Sequence, residues 1–288
     1  MAAGRVEPRA DVGRGGPTGI ECPMGGSLRR LLVAGWLLIC FGTSSTEAAP
    51  TSPHQIFAPV LVFHHVKAFL PGDNAIERGL TVPPEQFDAE LRYLRAHRYH
   101  TVSAYALVRA LLSGRRLPSR PVVVTFDDGY SDVYANVFPA LRRYHLVATF
   151  FIVPGFLGRP RYLSWRQVLT MSRHGMDIEA HTMTHPDLTV VSPGQRVSEV
   201  AGSRTALERR LHRPVLIFAY PYGAYNQAVL ETVKRSGFRA AFTTRQGWLE
   251  RSDSLLTLPR VYVDNDDSIQ IFAGRLTADP AALAADPL

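Results

Sequence analysis

With 288 residues and 46% apolar side chains, the chain is long enough for one large α/β core and too apolar to be disordered throughout. The formal charge of +7 is spread along the sequence without a block of five basic residues. That pattern argues against nucleic acid as a partner and leaves only loose attraction to an anionic cell envelope.

Residues 1–23 are rich in Gly, Pro and Arg and carry no periodicity. From Ser27 to Ala49 the order changes to Arg29-Arg30, an apolar run from Leu31 to Phe41, and small residues ending at Ala48-Ala49-Pro50. This is the layout of a secretory signal, and its apolar run falls short of the ~20 residues that cross a bilayer. Cleavage is expected near Ala48 or Ala49, with an uncleaved anchor as the alternative, and translation starts at Met1 or Met24. The expected division is residues 1–49 as a disordered extension plus signal peptide, and 50–288 as one catalytic domain exported to periplasm, envelope or medium. Both cysteines, Cys22 and Cys40, fall in the first part. The mature domain would have no disulfide and no sulfur ligand for a metal.

Short apolar, β-branched runs then alternate with amphipathic stretches. Strands are predicted at Val60–Phe63, Val122–Phe126, Ala148–Val153, Asp177–Ala180, Val215–Ala219, Ala240–Thr243 and Arg260–Val263. Helices are predicted at Pro84–Ala96, Ala104–Leu112, Val133–Tyr144, Ser164–His174, Gly194–Leu211 and Asn226–Ser236, the last two stopped by Pro214 and Gly237. Seven strands with intervening helices and no GxGxxG turn favour a closed or nearly closed (β/α) barrel over an open doubly wound sheet.

In such a barrel the working residues follow the C-terminal ends of strands. Four polar clusters occupy that place: His64-His65, Asp127-Asp128, His181 and Tyr220-Pro-Tyr-Gly223. Adjacent carboxylates point different ways, so Asp128 can hold a cation while Asp127 turns to a water. Alone, the pair is equally consistent with a turn or a cap for the following helix. His181 and His185, four apart, can converge on one ion, although an isolated His pair often only packs or hydrogen-bonds in its loop. Together these clusters offer two imidazoles and a carboxylate with open positions left over, the donor set of a catalytic Zn²⁺ site. Asp127 is then the candidate base, His64 the candidate acid for the leaving nitrogen, and the Tyr222 backbone N–H the donor to a developing oxyanion. Tyr130, Trp165 and Tyr222 are candidate sugar contacts.

Thr125-Phe-Asp-Asp-Gly-Tyr130, His181-Thr-Met-Thr-His185-Pro186 and Tyr220-Pro-Tyr-Gly223, in that order, resemble the motifs of the polysaccharide deacetylases. These form the NodB-homology class, carbohydrate esterase family four, and the resemblance runs from about Val60 to Val263. It implies a single distorted (β/α)7 barrel, one divalent metal, usually zinc, and hydrolysis of N-acetyl groups on amino-sugar polymers. By position, Asp127 matches the family base, Asp128, His181 and His185 the metal ligands, and Tyr222 the oxyanion donor. Two places depart from the pattern. Ala219 stands where many relatives have an Arg that orients the base, and Leu258-Pro-Arg260 lacks the late His that serves as acid. The early Val62-Phe-His-His-Val66 and Phe218-Ala-Tyr-Pro-Tyr-Gly223 look more like poly-β-1,6-N-acetylglucosamine deacetylases, in which an early His takes the acid's place. Peptidoglycan or chitin-oligosaccharide deacetylation is the alternative, and a carbohydrate-binding protein without turnover the rival from another class. No obligate protein partner is evident.

Overall fold

The computed structural model describes residues 53–277; the expected signal segment and cleavage site lie outside them. Among the described residues no helix is long and apolar enough to cross a membrane.

Seven strands carry the barrel: β1 (Val60–Phe63), β2 (Pro121–Phe126), β3 (Thr149–Ile152), β4 (Asp177–Ala180), β5 (Ile217–Ala219), β6 (Ala240–Gln246) and β7 (Leu258–Tyr262). Each pairs in parallel with the next, and β1 pairs with both β7 and β2, which closes the ring. Its strands are buried along nearly their whole length, as parallel strands covered on both faces must be. The short strand His100–Thr101 adds to β2 outside the ring.

Side chains alternate along each strand. Leu61, Val124, Phe126, Phe150, Ile152, Ile178 and Phe218 pack against the helices, while Val60, Val123, Phe151, Ile217, Phe242 and Leu258 form a second cluster that fills the barrel. Helix α2 (Ala104–Ser113) joins that inner cluster through Leu107, Val108 and Leu111, and its Ala104 N–H donates to Thr149 Oγ1, so it plugs the bottom. Besides a short five-residue helix at Ala75–Gly79, the other helices are α1 (Pro84–Ala96), α3 (Phe138–Arg143), α4 (Trp165–Arg173), α5 (Pro193–Leu211), α6 (Gln227–Arg235) and α7 (Ile269–Thr277).

The predicted helix at Val133–Tyr144 is broken: Val133–Val137 is a π turn and only Phe138–Arg143 is α-helical. Pro139 has no N–H for the preceding turn, so the bonding pattern widens there. A larger irregularity separates β6 and β7, where Phe242 faces Leu258 but Gln246 faces Arg260. Four steps on one strand against two on the other bulge β6 beside the mouth, and Thr243 O, inside the bulge, accepts from Arg260 Nε at 2.9 Å.

Candidate active site

The inward phase that fills the barrel with Val60, Val123 and Leu258 continues upward to His64, Asp127 and Arg260. In β4 the same alternation runs through Asp177 and Glu179 to His181. Asp127 N–H donates to Phe63 O at 3.0 Å, so His64 and Asp127 leave neighbouring strand ends side by side.

Asp128 is buried with φ 69°, a backbone region that Asp tolerates better than most side chains. It swings away from Asp127 toward His181 and His185. The two imidazole Nε2 atoms lie 3.2 Å apart, and Asp128 Oδ1 lies 3.4 Å from His181 Nε2 and 3.2 Å from His185 Nε2. Asp128 Oδ1 is buried and accepts no hydrogen bond of good geometry. These separations are close to the edges, about 3.3–3.4 Å, of a tetrahedron around an ion with bonds of about 2.0–2.1 Å. The three residues form the one group among the described residues able to hold a metal ion. The donor set therefore fits a divalent cation with room for further ligands.

Neighbours fix the donors. His181 Nδ1 donates to Ala219 O at 2.8 Å, which leaves its Nε2 lone pair aimed at Asp128 and His185. Burial lowers the His181 pKa, but the close approach of Asp128 and the charges of Asp127 and Asp128 outweigh this and raise it. For His185, burial and then the His181 charge push the pKa down to about 4. Asp128 is held well below the carboxylate range, because His181, His64 and His185 together overcome its burial.

Asp127 belongs to a different pair. Arg260 grips it with two parallel bonds, Nη1 to Oδ1 at 2.8 Å and Nη2 to Oδ2 at 2.7 Å, both side chains being buried. Burial works against the carboxylate, yet the Arg260 charge and then that of His181 keep its pKa below the usual value. The alternative of Asp127 and Asp128 as helix caps falls away, since the residue at the cap of that turn is Asp132 and no side chain bonds its amides.

The departure at Ala219 is thus answered from another strand. Arg260 occupies the late position where many relatives have a His, and from there it holds the carboxylate of Asp127, the candidate base. The sequence carried the hint: a lone Arg inside Leu258-Pro-Arg-Val-Tyr-Val263 has to find a carboxylate once buried.

His64 is half-buried among Asp127, Asp128, Arg260 and His181; burial lowers its pKa, and Asp127 opposes this most. Next to it His65 is fixed by Asp132, which accepts from His65 Nδ1 at 2.9 Å and from Val66 N–H at 2.8 Å. Tyr222 holds φ 59° and stands 67% exposed at the mouth, its ring 4.8 Å from that of His185. Asp128, Thr182, His185 and Tyr222 all have φ near +60°, a concentration of backbone strain at one mouth.

The three expected sugar contacts separate. Tyr222 is free to meet a ligand. Tyr130 stacks on His65 at 3.7 Å and on Tyr162 at 5.2 Å, so its ring is already engaged. Burial and the neighbouring Asp128 push its hydroxyl pKa far up. Trp165 is not brought to the mouth: it starts α4, packs on the outer core, and lies under the Arg210 guanidinium at 5.4 Å. The sequence placed both in segments that follow a strand end, but Tyr222 comes three residues after Ala219 and Trp165 thirteen after Ile152, already at the start of the next helix.

A family model for polysaccharide deacetylases matches residues 114–241. A Bacillus subtilis protein named for that family, YxkH, is 31% identical over 205 residues, which cover 71% of each chain. The poly-beta-1,6-N-acetyl-D-glucosamine N-deacetylase of Staphylococcus epidermidis is 26% identical over 216 residues, covering 69% of this chain and 73% of its own. Among solved structures, the Streptococcus pyogenes deacetylase PplD in complex with acetate aligns with TM-score 0.70 and 29% identity, covering 75% of this chain and 96% of that one. IcaB from Ammonifex degensii aligns with TM-score 0.66 and 26% identity, covering 76% and 97%. With the barrel, the carboxylate–imidazole triangle and these likenesses together, the chain belongs to the polysaccharide deacetylase family.

Proposed function

We propose that the protein is an exported, metal-dependent hydrolase that removes N-acetyl groups from a β-linked N-acetylglucosamine polymer, releasing acetate and free amines. The observation that carries this reading is the pairing of two sites at one mouth: a triangle of Asp128, His181 and His185, and beside it a carboxylate, Asp127, clamped by Arg260.

Asp128, His181 and His185 would hold the divalent ion, for which zinc suits the two imidazoles and one carboxylate. When bound, such an ion lowers the pKa of a water and polarises the acetyl carbonyl. Asp127, kept ionised by Arg260, accepts the proton of the attacking water. The Tyr222 backbone N–H donates to the oxyanion. His64, which leaves the strand end next to that of the base, donates the proton that turns the amide nitrogen into a neutral amine leaving group. The exposed Tyr222 ring offers an apolar face for a sugar.

Poly-β-1,6-N-acetylglucosamine is the favoured polymer. The early His64-His65 stands at the mouth while the late position is filled by Arg260, and two of the similar proteins are a deacetylase of that polymer and IcaB. A turnover-less carbohydrate-binding protein loses its main support, because the missing orienting Arg is supplied by Arg260.

The test is acetate release by the zinc-loaded domain from poly-β-1,6-N-acetylglucosamine, chitin oligomers and peptidoglycan, each against Asp127→Asn. Release should be fastest from the first polymer and fall at least about 100-fold in the variant. Fastest release from another polymer would reassign the substrate, and equal release by the variant would remove Asp127 as base.

A further inference from the structure

The loop that carries the second imidazole is built unlike the first. His181 directly follows a barrel strand, and its ring is fixed by Ala219 O. His185 ends a five-residue excursion with two left-handed residues, Thr182 at φ 60° and His185 itself at φ 61°. Its Nε2 meets the members of its own cluster, His181 and Asp128, and its ring lies edge-on to that of the exposed Tyr222. Where His185 Nε2 points is therefore decided by the loop backbone.

That backbone is held from α5. Glu199 Oε2 accepts from Met183 N–H at 2.9 Å and from Thr184 N–H at 2.8 Å, while Oε1 accepts from Thr184 Oγ1 at 2.6 Å. Glu199 is only 7% exposed, so water does not stand in for it. One turn earlier on the same face, Arg196 donates Nε to Leu188 O at 2.9 Å and Nη2 to Val191 O at 3.1 Å. An acid holds the amides of the loop and a base holds its carbonyls.

Other contacts close the remaining freedom. Thr182 Oγ1 accepts from His185 N–H at 2.9 Å, and Met183 O accepts from Gly155 N–H at 2.9 Å. A Cβ on Gly155 would sit 2.3 Å from Met183 O, so only Gly allows that approach. Of these holds, Glu199 alone bonds two successive amides immediately before His185. Amide–carboxylate bonds are charge-assisted and about twice as strong as neutral ones.

We propose that Glu199 is a positioning residue for the metal site, acting through the Met183–Thr184 amides to aim His185 at the position shared with Asp128 and His181. This rests on the reading of those three residues as metal ligands. It predicts that Glu199 sets metal affinity although it touches neither metal nor substrate. Residues that orient a metal ligand from outside commonly change affinity 10- to 100-fold.

The experiment is competition between a chelator and the metal-stripped full domain for Zn²⁺ alone, with circular dichroism confirming that each variant is folded. Wild type should bind one equivalent, and Glu199→Ala should bind roughly 10- to 100-fold more weakly. Glu199→Gln should stay within about threefold of wild type, because its carbonyl oxygen can accept both amide bonds. In a His185→Ala background, Glu199→Ala should cause no further loss. Should Glu199→Ala not fold, Glu199→Asp carries the same expectation, since the shorter arm draws the carboxylate off both amides. Wild-type affinity in the Ala or Asp variant overturns the proposal, as does an undiminished loss in the His185→Ala background. Failure of the wild type to bind Zn²⁺ overturns instead the metal reading on which it rests.

Discussion

Arg260 and Asp127 meet inside the barrel mouth through two parallel bonds of 2.8 and 2.7 Å, although 133 positions separate them in the chain. The bulge in β6 makes this possible, since it leaves Thr243 O to take Arg260 Nε and so fixes the guanidinium plane. A carboxylate this deep would ordinarily prefer its proton. The Arg260 charge reverses that preference and keeps Asp127 in the form that can accept one.

Arg260→Lys keeps a charge but loses the planar fork. Asp127 is then stabilised less as the anion, its pKa rises, and activity on the acid side is lost at a higher pH than in wild type. A kcat/KM profile against pH checks this, and an unmoved acid limb contradicts it. Arg260→Ala leaves a buried carboxylate unpaired and should lower stability by about 3–5 kcal/mol, measured by urea unfolding.

Asp127→Asn should reduce acetate release about 10²- to 10⁴-fold, the usual span for removing a general base. Zn²⁺ affinity should stay within a few-fold of wild type, because the ligands belong to Asp128 and the imidazoles. Parallel measurement of acetate and of bound metal separates the roles; a variant that loses its metal would make Asp127 a ligand.

His64→Ala should lower kcat by a similar factor while KM changes little, since protonation of the departing nitrogen is needed in the transition state and not for binding. Steady-state kinetics on one soluble oligomer decide it. Unchanged kcat would transfer the acid role to another group.

Glu250 provides a check on the interior away from chemistry. It sits opposite Ile56 in the small antiparallel pair Gln55–Phe57 with Leu249–Arg251, fully buried, with no hydrogen-bond partner for either oxygen among the described residues. Burial pushes its pKa up to about 9 against an ordinary 4.5, opposed by Arg245. Below the ordinary value both folded and unfolded chains carry the proton, and between the two values only the folded chain does. Stability therefore falls as pH rises through that window and levels off above it. Glu250→Gln stays neutral throughout, so its stability relative to wild type should grow from about pH 5 to about pH 9, by at most about 1.4 kcal/mol per unit. Urea unfolding at several pH values reads the difference; a constant offset would mean that Glu250 is ionised in the folded chain.

Much of this was legible in order along the chain. Continuous β-branched runs located all seven barrel strands, with Val60–Phe63 and Asp177–Ala180 at their observed limits. The residues after those strands located Asp127, Asp128, His181 and His185, because a barrel gathers strand ends on one face. What stayed hidden depends on register and on long-range pairing. The bulge that turns Arg260 toward Asp127 leaves no local mark, and Glu199 looks like any polar residue of an amphipathic helix until its loop is seen. The helix Ile269–Thr277 and the pair His65–Val66 with Thr81–Val82 also went unread, being short or lacking a clear period. Aromatic residues were least legible, since Tyr130, Trp165 and Tyr222 differ above all in what covers them.

The most direct test of the whole account is titration of the metal-stripped domain with Zn²⁺ while acetate released from poly-β-1,6-N-acetylglucosamine is recorded, beside His185→Ala. Release should rise from near zero and level off at one equivalent of metal per chain, with the variant far below it at the same metal concentration. Release that is already full in the stripped protein, or that the variant matches, would contradict the account.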